Sequence, residues 1–395
     1  MFGFGGQKVI TDETKVNELL SRGVSEVITK DELKAKLLSG KQLCVKLGID
    51  PTSPNLHLGR SIPLLKLRDF QELGHRVVLI VGDFTGVIGD TSDKESERPM
   101  LTETTVSENM QSYKEQAGKI LDISKTEIRR NSEWLSKLTY AEIGKHADAF
   151  SVADFIAREN IKKRLDSGTR VSLREVLYPL MQGYDSVAIN ADVELGGTDQ
   201  RFNLLAGRVL QEKNEQVPQN VLMTELIEGL DGRKMSSSWG NTINFTDSPE
   251  DMYGKVMRLN DSLIEKYFIH VTRVPLTEVA DALKEEPLQA KHTLAHAIVS
   301  LYHTPKDADR AREQFKTAFS DGGVPEDIPE IVRGETLSTT LINGGIISSK
   351  KEFERLIADG AITHTESGEK ISNIHAEANP GVYKVGKRRF IKILP

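Results

Sequence analysis

Along the chain, short uninterrupted apolar runs alternate with longer stretches in which apolar residues return every three or four positions. This is the pattern of strands threaded between helices. Residues 42–50 read as a buried strand. Pro51, Pro54 and Asn55 break it, and a helix begins near His57, where Leu58, Ile62, Leu65 and Phe70 fall at near-helical spacing. Residues 76–82 form a second continuous apolar run, as expected of a strand covered on both faces in a parallel sheet. Strand, helix and strand in succession make a βαβ unit, whose right-handed crossover puts the first strand-to-helix turn at the carboxyl edge of the sheet, where ligands bind.

Helical patterns continue through 103–121 and 173–184, with strands expected at 126–130 and 186–195. The α/β domain therefore extends to about residue 230. From 249 to 319 glycines thin out and the text becomes helical, and the Gly/Pro/acid stretch 322–329 suits a linker. A small terminal domain occupies 333–395.

At 395 residues there is room for two or three domains of about 150 residues each. Hydrophobic residues make up 38% and charged residues 28%, and no apolar run approaches the roughly 20 residues of a membrane span. The expectation is a soluble globular protein without membrane association. The opening segment lacks the basic start, apolar stretch and cleavage site of a signal peptide, which points to the cytoplasm. The single cysteine, Cys44, rules out an intrachain disulfide or a cysteine-based metal cluster and reads as a small core residue. A net charge of −6 means that any nucleic-acid surface must be a local patch, for which the basic run at 384–392 is a candidate.

Two segments carry candidate chemistry. The first strand ends in Gly48-Ile-Asp-Pro-Thr-Ser-Pro-Asn-Leu-His-Leu-Gly-Arg60. A glycine in the first helical turn lets a flat or phosphorylated ligand lie against the backbone, and the free N–H groups and dipole of that terminus favour anions. His57 and Arg60 add donors there. Far downstream stands Gly229-Leu-Asp-Gly-Arg-Lys-Met-Ser-Ser-Ser-Trp-Gly-Asn241, whose glycines, lysine and serines suit a mobile loop that folds over a triphosphate. Tyr178, Gln182 and Asp185 are spaced i, i+4 and i+7, so one helical face can bring them to one ligand. Alone, each segment also has a plain structural reading: a capping histidine, a solvated loop, a core tyrosine with a terminal charge.

Taken together, these segments resemble the class I aminoacyl-tRNA synthetases. His57-Leu-Gly-Arg60 looks like the HIGH signature and Lys234-Met-Ser-Ser-Ser238 like KMSKS. Tyr178-Pro-Leu-Met-Gln-Gly-Tyr-Asp185 resembles the tyrosine-pocket helix of the bacterial tyrosyl family, Gly196-Gly-Thr-Asp-Gln200 its Gly-Gly-(Ser/Thr)-Asp-Gln stretch, and Val87-Ile-Gly-Asp90 with Lys94 and Arg98 its loop after the second strand. Residues 341–362 with 385–390 resemble the S4 RNA-binding module. The implied fold class is α/β: a Rossmann-like parallel-sheet catalytic domain over 1–230, a KMSKS-like loop and helical anticodon-side domain with its linker over 231–325, and a small α+β S4-like domain over 333–395.

The resemblance implies an ATP-dependent ligase that joins L-tyrosine to tRNA(Tyr) through a tyrosyl-adenylate, with Mg²⁺ brought by ATP, no dedicated protein metal site, and a homodimer. Tyr178, Gln182 and Asp90 would bind the substrate ammonium, Asp185 the phenol and Gln200 the carboxyl region. Thr52 and His57 would contact the ATP phosphates, with Arg60 beside them. Asp50 and Gly59 would contact the nucleotide, flanked by Gly48, Gly196, Met235 and Ser237, and Asp199 the ribose. Lys94, Arg98 and Lys234 would meet the pyrophosphate. Lys350, Lys351 and Arg355, with Lys387 and Arg388, would meet RNA phosphates, a salt-sensitive contact.

Three positions depart from the family pattern. Arg60 stands where HIGH ends in histidine. Ser237 replaces the second lysine of KMSKS, leaving Lys234 and Arg233 to compensate. Lys46 stands where many members carry a tyrosine that touches the substrate phenol, and is carried as a candidate for that contact. Two rivals remain open on sequence alone: a synthetase-like RNA-binding protein whose chemistry has lapsed, and tryptophanyl specificity. Asp185 facing solvent, or lying far from His57 and Lys234, would remove the tyrosyl reading.

Overall fold

A computed structural model describes residues 8–90, 100–319, 328–365, 367–386 and 389–395. It divides into two compact units, 1–305 and 306–395.

The first unit is built on a six-stranded sheet in the order β1-β6-β5-β2-β3-β4. Its strands are β1 (Val24–Ile28), β2 (Cys44–Ile49), β3 (Arg76–Val81), β4 (Thr126–Arg130), β5 (Val193–Gly197) and β6 (Asn220–Thr224). All pairings are parallel except that of β1 with β6. The continuous apolar text of β2 and β3 has the expected cause, since Val45, Leu47, Val77, Val78, Leu79 and Ile80 are all buried. Cys44 is buried too, and burial pushes its thiol up to about 11. From β2 the chain winds outward in both directions, so the crevice at its carboxyl end is the topological switch point of the sheet.

Between β2 and β3 lies the Leu58–Glu72 helix, as predicted. The expected strand at 186–195 begins later than its sequence suggests. The Leu173–Ile189 helix runs on to Ile189 and stops at Asn190, which is left-handed at φ 50°, and β5 starts only at Val193. An apolar stretch this short fits either state, and packing against the neighbouring Arg201–Lys213 helix decides it. The start of the Leu173–Ile189 helix is held by a capping box between Ser172 and Glu175. Glu175 also forms a buried ion pair of 2.5 Å with Arg164.

Helices Pro249–Met257, Ile264–Val271 and Pro287–Tyr302 belong to this first unit and bury Met252, Tyr253, Phe268, Leu294 and Ile298. They are tied to the Leu58–Glu72 helix by Arg273, whose guanidinium donates to both oxygens of Asp69 at 2.8 and 2.9 Å. No helix among the described residues is long and apolar enough to cross a membrane.

Within the second unit a four-stranded sheet has the order β7-β10-β9-β8, with β7 at Glu330–Val332, β8 at Ile362–His364, β9 at Gly381–Val385 and β10 at Arg389–Leu394. Its core gathers Leu337, Leu341, Phe353, Ile362, Tyr383 and Ile391. The Lys350–Ala358 helix turns Phe353, Leu356 and Ile357 inward and leaves Lys350, Lys351 and Arg355 exposed.

Candidate active site

A cavity of about 500 Å³ opens at the carboxyl ends of the parallel strands. Its wall is made by the segments that leave β2 (48–60), β3 (Gly82 to Asp90), β5 (Gly196 to Gln200) and β6 (Thr224 to Ile227), by one face of the Leu173–Ile189 helix, and by residues 234–238. Thr52, His57, Arg60, Asp90, Tyr178, Gln182, Asp185, Gln200, Gly48, Asp50, Gly59, Gly196, Asp199, Lys234, Met235 and Ser237 all line it. Helical spacing therefore did bring Tyr178, Gln182 and Asp185 to one place. Lys94, Arg98, Lys387 and Arg388 lie outside the described residues.

At the floor, Asp185 is 3% exposed. It accepts hydrogen bonds from Trp134 Nε1 at 2.8 Å and Asn131 Nδ2 at 3.4 Å. Burial outweighs these donors and raises its carboxyl to about 7. Neither Trp134 nor Asn131 was found from sequence; both follow β4, and only the β3–β4 pairing delivers them here. Asp50 is a second carboxyl of the site, half-buried. Burial lifts it to about 6 against hydrogen bonds from Thr85 Oγ1 (2.7 Å) and the Tyr178 hydroxyl (2.8 Å). Gly82 is what lets Asp50 and Thr85 meet, because a Cβ there would collide with both side chains.

Around the Leu58–Glu72 helix start, one expectation is corrected. The first N–H groups are not open to an anion: Leu58 donates to the Ile243 carbonyl at 2.9 Å, and Gly59 points to Met235 Sδ at 3.2 Å. The residues downstream of β6 cover that terminus. A Cβ on Gly59 would come within 3.0 Å of the His57 ring, so the glycine permits the imidazole's position. His57 is buried, and desolvation together with the Arg60 and Lys234 cations lowers it to about 3. The imidazole is neutral at working pH, and its Nδ1 has no hydrogen-bond partner among the described residues.

Lys234 reaches Asp199 at 2.8 Å. Its segment is pinned by Asn241, which accepts from Ser236 N–H at 2.8 Å and donates to Asp231 at 2.7 Å. Arg233 does not line the cavity. It pairs with Asp231 and stacks over the Trp239 ring at 4.7 Å, a short-range arrangement that draws it away from the lining.

Lys46 is the other correction. Its ammonium does not line the cavity but donates to Ser186 Oγ at 2.7 Å and the Gln182 carbonyl at 3.1 Å, beside the Glu194 carboxylate at 3.1 Å. A buried cation needs its counter-charge more than a neutral ligand, and Glu194 supplies one from the adjacent strand. The described residues hold no group of three or more His, Cys, Asp or Glu placed to bind a metal.

The cavity thus combines a buried carboxyl floor with a neutral imidazole and two cations, Arg60 and Lys234, in its wall. It can seat a ligand with one polar group reaching Asp185 and an anionic group beside the cations. A family model described as tRNA synthetases class I (W and Y) matches residues 38–320. Among curated relatives, the chain is 46% identical over 396 residues to a tyrosine–tRNA ligase of Salinibacter ruber, covering 95% of this chain and 96% of that one. It is 45% identical over 389 residues to that of Idiomarina loihiensis, with 95% and 96% covered. A truncated mitochondrial tyrosyl-tRNA synthetase of Aspergillus nidulans superposes with a TM-score of 0.66 at 22% identity, covering 77% of this chain and 94% of that one, a likeness of fold alone.

Proposed function

The chain belongs to the class I tRNA synthetases of the tryptophan and tyrosine family, and from that premise we propose that it activates L-tyrosine with ATP and transfers it to tRNA(Tyr). The observation that carries the choice of tyrosine is the buried Asp185 carboxyl at the floor of the cavity whose wall holds His57 and Lys234. Phenylalanine brings no hydroxyl to this buried carboxyl and forgoes the hydrogen bond that tyrosine makes there. Tyrosyl-tRNA synthetase is itself the established example of that discrimination, and its size is known from that case.

The substrate phenol lies against Asp185 and the ammonium against Gln182, Asp90 and Tyr178, with Gln200 at the carboxyl end. A tyrosine carboxylate oxygen then attacks the α-phosphorus of ATP in line. The new bond is oxygen to phosphorus, the bond broken is that to the bridging oxygen of the β-phosphate, and pyrophosphate leaves. No protein nucleophile is needed, so the protein's work is orientation and neutralisation of charge. His57, being neutral, helps as a hydrogen-bond donor to phosphate, with Thr52 beside it. Arg60 and Lys234 supply positive charge, joined by Lys94 and Arg98. Asp50, Gly59 and Asp199 hold the nucleoside, and seating the ribose on Asp199 parts the Lys234–Asp199 ion pair and frees the ammonium for the phosphates. Mg²⁺ comes with ATP, held by phosphate oxygens and water. A terminal hydroxyl of tRNA next attacks the adenylate carbonyl and AMP leaves.

The 333–395 segment acts as the S4-like RNA-binding part, its exposed Lys350, Lys351 and Arg355 meeting phosphates. A homodimer accompanies this reading, with the exposed Tyr140 (93% exposed), Val152 and Leu173 as candidates for its interface. Function is in the cytoplasm. The deciding experiment is ATP–pyrophosphate exchange with each amino acid in turn: exchange is expected with tyrosine, and exchange with tryptophan instead, or with none, refutes the reading.

A further inference from the structure

Behind the cavity floor, Lys46 on β2 and Glu194 on β5 stand directly opposite each other in the parallel pairing of the two strands. Their side chains are each 1% exposed and 3.1 Å apart. Neither lines the cavity, yet both hold a residue that does. Lys46 Nζ donates to the Gln182 carbonyl at 3.1 Å, and Glu194 accepts from Gln182 Nε2 at 3.3 Å. Glu194 also accepts from Ser186 Oγ at 3.1 Å and from Gln219 Nε2.

From Gln182 the hydrogen bonds run on through the site. Asn203 Nδ2 donates to Gln182 Oε1 at 3.1 Å and to Gln200 Oε1 at 3.0 Å. Gln200 Nε2 then donates to Asp90 Oδ2 at 2.8 Å. An ionised carboxylate can only accept, so Glu194 turns the Gln182 amide nitrogen toward itself and the oxygen away. That oxygen requires the Asn203 nitrogen, whose second bond requires the Gln200 oxygen, which leaves the Gln200 nitrogen for Asp90. Each amide's orientation is tied to its neighbour's, and the series is anchored by a carboxylate at each end, Glu194 at the ion pair and Asp90 in the cavity.

We propose that the buried Lys46–Glu194 pair is the positioning element of the amino-acid subsite, setting the amides so that Gln182 and Asp90 offer acceptor oxygens to the substrate's ammonium group. Lys46 is required because a charge at that depth is uncompensated without it, and a protonated carboxyl donates as well as accepts and no longer dictates the order. The pair thereby selects ligands that carry a free ammonium. This rests on the reading of the cavity as a tyrosine site.

The test uses the full chain and three probes in the exchange reaction: tyrosine as substrate, with tyramine and 3-(4-hydroxyphenyl)propionate, which lacks the ammonium, as competing inhibitors. In Glu194→Gln, the KM for tyrosine and the Ki for tyramine are expected to rise about tenfold or more, while the Ki of the ammonium-free acid moves less than about twofold. The neutral double variant Lys46→Met/Glu194→Gln leaves no lone buried charge to disturb folding, and is expected to show the same selective loss. Equal weakening of all three probes in either folded variant overturns the proposal, since a merely loosened pocket does that. Unchanged tyramine binding overturns it as well. Absence of tyrosine-dependent exchange in the wild type defeats the tyrosine assignment itself, which separates the two failures.

Discussion

Replacing Asp185 with asparagine removes one charge from the cavity floor while keeping its shape, and the structure fixes the consequences for both stability and selectivity. Burial holds this carboxyl at about 7 in place of its ordinary 3.8. The folded value lies above the unfolded one, so the stability tied to the neutral form is fully present below about pH 4 and is lost as pH rises through about 7. The full cost above that point is roughly 4 kcal/mol, of which roughly 2–3 kcal/mol accrues between pH 5 and pH 8. Asparagine does not ionise and escapes that cost. Denaturant unfolding of wild type and Asp185→Asn at both pH values should therefore show the gap shifting by roughly 2–3 kcal/mol in the variant's favour at pH 8. At pH 8, where the carboxyl is ionised, the same variant loses a charge-assisted hydrogen bond to the phenol, so kcat/KM for tyrosine is expected to drop about 10- to 100-fold there, with the weak reaction of phenylalanine almost unchanged. If the stability gap is the same at both pH values, the carboxyl does not carry the burial cost. If tyrosine and phenylalanine fall together, Asp185 is not where the phenol binds.

Other outcomes rest on the same geometry. Lys234→Ala should lower the rate of tyrosine-dependent exchange by about 100-fold or more while leaving the equilibrium binding of tyrosine intact, a split read by stopped-flow fluorescence and exchange kinetics. Because His57 is held near 3, it carries no charge between pH 5 and 9. The ratio of wild-type to His57→Asn exchange rates should then be flat across that range, and a ratio that titrates near pH 6 would show an imidazolium taking part. Neutralising Lys350, Lys351 and Arg355 together should weaken tRNA binding and reduce the steepness of its salt dependence by about two to three in the log–log slope, with exchange unaffected. A filter-binding titration over several salt concentrations measures that slope.

Local rules carried much of this protein. The apolar runs that became β2 and β3 and the near-helical spacing after His57 are readable because a strand buried on both faces and a helix buried on one impose different periods on consecutive residues. The convergence of Tyr178, Gln182 and Asp185 is readable for the same reason, as about two turns of one helix need no partner to be aligned. The surroundings of those side chains are another matter. That Trp134 and Asn131 donate to Asp185, that Lys46 faces Glu194 instead of a ligand, and that Met235 covers the start of the Leu58–Glu72 helix all depend on which strand lies beside which and in what register. The late start of β5 was settled likewise by helix packing, where a short apolar stretch is ambiguous. Burial then did what no residue type does alone, raising two carboxyls, stripping a histidine of its charge and locking a lysine to its counter-ion. The amino-acid order thus determined which groups are present and which share a helical face, while desolvation and long-range pairing, which arise only when distant segments pack, decided their charge and their partners.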